Sequence, residues 1–329
     1  MDFTLSADQE LLRDTARQLL RSECPTALLR DHIDDPAAGD ALWGHLREFA
    51  ALGDGPLTDL CVFVEETGYV AAPGPFFPTA AMFAPLLGGL GHELLPAALG
   101  GEITGAVAVA GVDGVWQPND DRVKTFVPEA DRADWIAVVS SGPAVTLVQS
   151  PPVRRVATVD FSRRFFEVEV APRKEPAQSV DPETLDAVLE RATVALAAEM
   201  VGTARRLFDM TLAYAKERVQ FDAPIGSFQA IQHKLADMAL DLERATSAVY
   251  YAAMAIDAKD ADRHRAAHVA KAAAGAAATR AAKDGIQIHG GIGYTWEHDL
   301  HLFIRHAYGA EHWLGTRDWH HDRLADLLF

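Results

Sequence analysis

The stretch Gln287-Ile288-His289-Gly290-Gly291-Ile292-Gly293-Tyr294-Thr295 interrupts a long alanine-rich helical run with three glycines in four residues. Glycine has no Cβ, so the backbone there turns tightly and lets a ligand or another chain come close. Apolar residues at helical spacing predict a helix over His264–Gln287 before this turn and another over Trp296–Leu314 after it. The same spacing predicts helices over Thr184–Glu217 and Gln229–Ala258. All exceed the ~12 residues of an ordinary globular helix, which points to a bundle of three or four long helices.

Working outward, the N-terminal third is also helical in pattern. Ser6 with Gln9 three residues on forms a capping box, and Leu11, Leu12, Ala16, Leu19 and Leu20 give one apolar face. Further helices are predicted over Ala41–Leu52, Leu57–Val70 and Thr79–Leu87, with a short one near Glu93–Gly100. Between the helical parts the texture changes. Gly105–Ala110, Trp135–Val139, Ala144–Gln149, Arg155–Val159 and Phe165–Val170 are short runs rich in valine and phenylalanine, separated by glycine, proline and aspartate. That is the pattern of a small antiparallel β domain or barrel. The expected fold is α+β and mainly α. It has an N-terminal helical domain (1–102), a small central β-barrel-like domain (103–175) and a C-terminal four-helix bundle (176–329).

Composition bounds the function. The formal net charge is −17, from 30 Lys and Arg against 47 Asp and Glu. Such a surface repels nucleic acid and anionic membranes, so neither is an expected partner. Cys24 and Cys61 are the only cysteines, too few for a disulfide framework, and a cytoplasmic setting is expected. The most apolar stretch, Ala266–Ala282, carries Lys271 and Arg280 and reads as core helix rather than a membrane span.

A second segment carries as much information as the glycine-rich turn. Arg218-Val219-Gln220-Phe221-Asp222-Ala223-Pro224-Ile225-Gly226-Ser227-Phe228-Gln229, followed by Gln232 and Leu235-Ala236-Asp237-Met238, reads as a helix end, a turn, and a new helix capped by Ser227. Together with Gln287–Thr295 it resembles the acyl-CoA dehydrogenase family, whose motifs R-x-Q-F-G-x-P-I-x-x-F-Q-x-x-Q-x-x-L-A-D-M and Q-x-H-G-G-x-G-Y-T are spaced much as here. Met1–Leu20 resembles that family's opening helix, and Asp160-Phe161-Ser162-Arg163-Arg164 its exit from the β domain. The resemblance implies FAD, lying between the β domain of one subunit and the C-terminal helices of its neighbour. Arg218 would meet the flavin pyrophosphate, with Gln220, Phe221 and Gln229 alongside. Gln287, Gly290 and Gly291 would line the adenosine end. A guanidinium fork suits phosphate oxygens, so the assignment is chemically sound.

The same resemblance exposes a gap. The family's reaction needs a carboxylate to take the α proton of an acyl-CoA thioester. Most members resemble Y-E-G-T at that point, where this chain has Trp313-Leu314-Gly315-Thr316. A minority use a glutamate in the first long bundle helix, a position that falls at or near Ala192. Neither leucine nor alanine accepts a proton, so no catalytic residue is expected. Glu311 and Glu190 are the nearest fallback bases, with surface and ion-pairing roles as the plainer readings. The T-E-P-x-x-G-S-D type loop of the family's β domain is replaced by Gly111–Pro118, the P-E-x-x-G-G loop by Gly53-Asp54-Gly55-Pro56, and a common glycine by Asp222. His289, His298, His301, His306, His312, His320 and His321 crowd the C-terminal region. No carboxylate or cysteine completes a metal set with them, and most read as surface or interface residues.

These residues lead to one expectation. The chain resembles the shorter subunits of actinobacterial α2β2 acyl-CoA dehydrogenases acting on steroid side-chain CoA thioesters. It would lack its own base and complete the FAD site of a homologous, base-bearing partner in a heterotetramer. The rivals are a homotetrameric dehydrogenase with a relocated base and a flavin-free scaffold on the same fold.

Overall fold

A computed structural model describes residues 4–170 and 177–329; residues 1–3 and the boundary expected at 175–176 lie outside the described residues. Helix α1 (Ala7–Glu23) opens with the capping box, Ser6 and Gln9 each satisfying the other's backbone N–H. Next come α2 (Thr26–Asp34), α3 (Asp40–Leu46), a 3-10 stretch Arg47–Gly53, and α4 (Leu57–Val70). Helix α2 was not expected: it is short and amphipathic, and buries only Leu29 and His32. The helix predicted over Ala41–Leu52 tightens to 3-10 after Leu46, where Gly53 passes close to the Ala80 carbonyl. A π turn, Pro78–Phe83, runs into α5 (Ala84–Leu90), and α6 (Leu95–Leu99) follows.

Seven strands come next: β1 (Gly105–Ala108), β2 (Val123–Pro128), β3 (Trp135–Ser140), β4 (Ala144–Val148), β5 (Val153–Val156), β6 (Phe165–Glu169) and β7 (Gln178–Ser179). They form two sheets, β1-β3-β4-β7 and β2-β6-β5. The expectation of an antiparallel unit needs one correction, because β1 pairs with β3 in parallel. Strand β2 was also missed. Its Lys124 looks like a surface residue, yet it is 1% exposed and its ammonium donates to the backbone and side-chain oxygens of Asn119 at 2.7 and 2.6 Å. Alternation sorts the first sheet's side chains. Ala106, Ala108, Ile136 and Val138 face Val127, Phe166 and Val168 of the second sheet, while Val107, Ala137 and Val139 join the main helical core.

The bundle consists of α7 (Pro182–Glu217), α8 (Gln229–Asp257), α9 (Arg263–His289), α10 (Leu300–His312) and α11 (Arg317–Leu328). A two-rung hairpin, β8 (Val219–Gln220) with β9 (Ala223–Pro224), joins α7 to α8. Two helix starts differ from expectation. Ser227 does not cap α8; its hydroxyl donates to the Pro224 carbonyl, and Phe228 takes the cap position. The last long helix begins at Leu300 rather than Trp296, because Gly290–Tyr294 forms a 3-10 turn first.

Helices α4 and α7 cross so closely that only glycine fits. A Cβ on Gly68 would stand 2.0 Å from the Glu199 carbonyl oxygen, and one on Gly202 only 1.8 Å from that of Glu65. Beside this crossing Arg205 pairs with Glu65 and, at 2.7 Å, with Glu66, which also takes Arg17 at 2.9 Å. At the N-terminus of α4, Asp257 accepts from the backbone N–H groups of Leu57 and Thr58 at 2.6 and 3.0 Å, a cap supplied from the end of α8. Gly202→Ala forces the two backbones apart, and its cost lies at or above the top of the ~1–3 kcal/mol range for overpacking. An unfolding free energy from urea titration lowered by less than ~0.5 kcal/mol would contradict so close a crossing.

Candidate functional site

The end of the bundle gathers the two motif segments. Helix α7 stops because Arg218 turns extended (ψ 120°), and the chain doubles back through the hairpin. Phe221 and Asp222 form its turn with φ of 53° and 61°. Left-handed backbone favours glycine and tolerates aspartate, so Asp222 occupies a position that demands a glycine-like conformation. Phe221 stands at the tip, 91% exposed. Helix α9 ends at His289, and Gly290 leaves it with φ 64° and ψ −141°, a combination suited to glycine alone. A Cβ on Gly290 or Gly291 would meet nothing within 4 Å, so this backbone faces open space. Tyr214 pins the two ends together, its ring stacked on His289 at 4.3 Å and its hydroxyl donating to the His289 carbonyl at 3.5 Å. Lys234 adds an ion pair to Asp284, tying α8 to α9.

Arg218, Gln220, Phe221, Gln229, Gln287, Gly290 and Gly291 are all exposed there. The Arg218 guanidinium has no ion-pair partner among the described residues. An unpaired guanidinium fork, three amides and an uncovered glycine backbone fit a phosphate-bearing cofactor that approaches from outside the chain.

The expected base positions hold no acid. Leu314 is 5% exposed and sits with φ 56° in the turn after α10, and Ala192 is fully buried in α7. Both fallback glutamates have structural partners. Glu311 is not the surface carboxylate expected. It accepts from the backbone N–H of Arg317 at 2.9 Å, capping α11, and its other oxygen lies 4.0 Å from the buried Lys271 ammonium. Glu190 pairs at 2.8 Å with His264 rather than with an arginine. Burial lifts the Glu190 carboxyl, and His264 offsets part of that rise. The Leu314 turn itself is braced. Lys271 Nζ donates to the carbonyls of Glu311 and Gly315 at 3.0 and 2.9 Å, and His320 Nε2 to that of Leu314 at 3.1 Å. Burial, opposed only weakly by Glu311, draws Lys271 down to about 8.

One cluster went unnoticed in the sequence. His306 on α10 is 1% exposed, correcting the expectation of a surface or interface histidine. Its Nδ1 lies 2.9 Å from Asp160 Oδ2 and its Nε2 2.7 Å from Glu199 Oε1. Arg163 meets both oxygens of Glu199 at 2.5 and 2.6 Å, and the Ser162 hydroxyl donates to Asp160 Oδ1 at 2.7 Å. Burial pulls His306 down, but the two carboxylates outweigh it and lift the imidazolium to about 9. Burial raises Asp160, yet His306, Arg163 and Ser162 bring it to about 2. Ser162 Oγ is 2.9 Å from His306 Nδ1, a contact that looks like a nucleophile beside its base. With a carboxylate on each ring nitrogen, His306 has no lone pair to offer, so this is a structural cation. The clue in the sequence was Glu199, a lone acid within Val194–Val201, where burial demands a partner. His289, His301 and His320 are buried as well. Among the described residues no group of three or more His, Cys, Asp and Glu could hold a metal ion. No helix among them is long and apolar enough to cross a membrane.

Comparison with known proteins accounts for this architecture. Residues 184–329 match the family described as acyl-CoA dehydrogenase, C-terminal domain. Acyl-CoA dehydrogenase IpdE2 of Mycobacterium tuberculosis is 32% identical over 94% of this chain and 93% of its own length. A solved steroid acyl-CoA dehydrogenase, Tcur3481-Tcur3483, is 27% identical with a TM-score of 0.88, covering 99% of this chain and 98% of the other. The ChsE4-ChsE5 complex of Mycobacterium tuberculosis shares the fold at 24% identity, with a TM-score of 0.88 over 100% and 99% of the two chains. The chain belongs to the acyl-CoA dehydrogenase family.

Proposed function

We propose that this chain is a subunit of a flavin-dependent acyl-CoA dehydrogenase, that it lacks a catalytic base of its own, and that it completes the FAD site of a homologous base-bearing partner. One observation carries the reading. The exposed clamp of Arg218, Gln229, Gln287 and Gly290-Gly291 is intact, while both base positions hold apolar side chains, Leu314 and Ala192. In this reaction class FAD supplies the hydride acceptor, and a carboxylate removes the α proton. The work of this chain is then to bind and orient. Arg218 neutralises the pyrophosphate, Gln220, Gln229 and Gln287 donate or accept at polar edges, and Gly290-Gly291 lets the adenosine end lie against bare backbone. Exposed Val219, Phe221, Ile292, Tyr294 and Trp296 at the same end would be covered by the partner. Glu311 and Glu190 do not favour the homotetramer, since each is engaged in holding helices together.

The acyl group is proposed to be a steroid side-chain CoA thioester, because a relative of this length and fold is a steroid acyl-CoA dehydrogenase. The setting is proposed to be cytoplasmic. The test is to express the chain alone and together with a neighbouring homologue that carries the glutamate. Yellow colour and acyl-CoA oxidation only on co-expression are expected. A chain that is yellow and active alone overturns the reading, and one that stays colourless in both preparations makes it a scaffold.

A further inference from the structure

Helix α11 is attached to the bundle through one imidazole. Of its 12 residues only His320 is buried, while Trp319, Leu327 and Leu328 are 41%, 53% and 62% exposed. A helix that removes so little apolar area from water depends on its polar contacts and opens locally at low cost. His320 sits over the Leu314-Gly315 turn, so closely that a Cβ on Gly315 would stand 2.9 Å from its Nε2. That nitrogen lies 3.1 Å from the Leu314 carbonyl oxygen, and Nδ1 lies 2.8 Å from Nδ1 of His268 on α9. A carbonyl only accepts, so His320 Nε2 carries a proton. The ring then offers its Nδ1 lone pair, and the His268 Nδ1–H donates to it. Both hydrogen bonds exist together only while His320 is neutral. One more proton on it would set two N–H groups against each other.

Nothing facing the pair compensates that charge. Helix α9 presents Lys271 and His264, and α11 presents His321 and Arg323. The carboxylates nearby are engaged or turned to solvent: Glu311 with the Arg317 N–H and Lys271, Glu190 with His264, Asp318 with Arg317, Asp326 with Arg323, and Asp322 exposed. Burial, Lys271 and His268 push His320 down to about 3 against the Leu314 hydrogen bond, and burial, Arg323 and His264 lower His268. The turn beneath has a separate anchor, since the Lys271 ammonium donates to the Glu311 and Gly315 carbonyls and stays charged in acid.

We propose that α11 is a proton-released arm: protonation of His320 frees Arg317–Leu328 from α9 and uncovers the Leu314-Gly315 turn, while the rest of the bundle stays folded. Once released, His320 recovers an ordinary value near 6.5. Docking is therefore complete above 6.5 and weakens by about tenfold per pH unit below it. His268 adds to the loss in the same sense. The device belongs to this chain alone and does not depend on the proposed complex.

Hydrogen exchange of the full chain, corrected for the intrinsic pH dependence of exchange, reads the opening of α11. From pH 7 to pH 5 the protection of its amides should fall about 25-fold or more, while those of α7 keep theirs. Protection in α11 unchanged within about threefold, or lost to the same extent in α7, would overturn the release. His320→Gln supplies an amide oxygen to His268 and an N–H to the Leu314 carbonyl without a titrating group. Its α11 should lose less than about fivefold over the same interval, and a persisting 25-fold loss would overturn the role of His320. The native series decides the matter by itself if the variant helix does not dock.

Discussion

Replacing Arg218 with alanine strips flavin from the assembled complex while leaving the fold of this chain intact. A charge-assisted hydrogen bond contributes ~1.5–3 kcal/mol, so the loss corresponds to roughly ten- to hundredfold weaker cofactor binding. Flavin absorbance per complex after gel filtration reads it directly. The unfolding midpoint of the isolated Arg218→Ala chain should not move, because the guanidinium is exposed and makes no ion pair among the described residues. Arg218→Lys keeps the charge but loses the planar fork, and its flavin affinity falls between the two. Full flavin retention by the alanine variant would remove Arg218 from the cofactor site.

His306→Gln has the largest expected effect on stability. The imidazolium bridges the turn between β5 and β6, through Asp160, to α7, through Glu199. Glutamine cannot neutralise both carboxylates, and unpairing a buried charge costs about 3–5 kcal/mol. The native cluster also gives a pH signature. The folded-state value of His306, about 9, lies above its unfolded 6.5, so its contribution is complete below 6.5 and is lost progressively as pH rises toward 9. Lys271 acts in the opposite sense: its folded value of about 8 lies below 10.5, so the penalty it imposes is relieved only above 8. His32, His268, His289, His301 and His320, all lowered by burial, add a rising slope that fades as pH passes 6.5. The contribution of His306 is therefore read as the difference between native and His306→Gln urea titrations from about pH 7.5 to 8, where the native protein should lose stability with pH and the variant should not. A variant with native stability and an unchanged slope would show that the imidazolium is not the cation the geometry requires.

Much of the fold was legible because periodicity reports burial. The capping box at Ser6, the long helices and five of the strands followed from apolar spacing, with ends displaced by a few residues. What escaped was polar and buried. Lys124 disguised β2, and the Arg163–Glu199–His306–Asp160 cluster assembles residues from three distant parts of the chain that no local pattern links. The parallel pairing of β1 with β3 was unreadable for a related reason, since a sheet's neighbours are set by topology and not by the strand's own sequence. The proposed clamp was more accessible. Its residues lie in two compact segments, and Tyr214 stacked on His289 brings those segments to one end of the bundle. Leu314 was equally plain as a missing acid, but the rings of Phe77, Phe165 and Trp116 around its neighbour Trp313 were not.

In the proposed complex another chain takes the proton. The most direct measurement is the turnover of the co-expressed complex carrying Glu311→Gln and Glu190→Gln in this chain. The amides preserve the neutral hydrogen-bonding shape at both positions, and kcat should stay within about twofold of the unmodified complex. Removing a true general base costs ~10²–10⁴-fold. A drop of that size, from either substitution, would place the base in this chain and not in its partner.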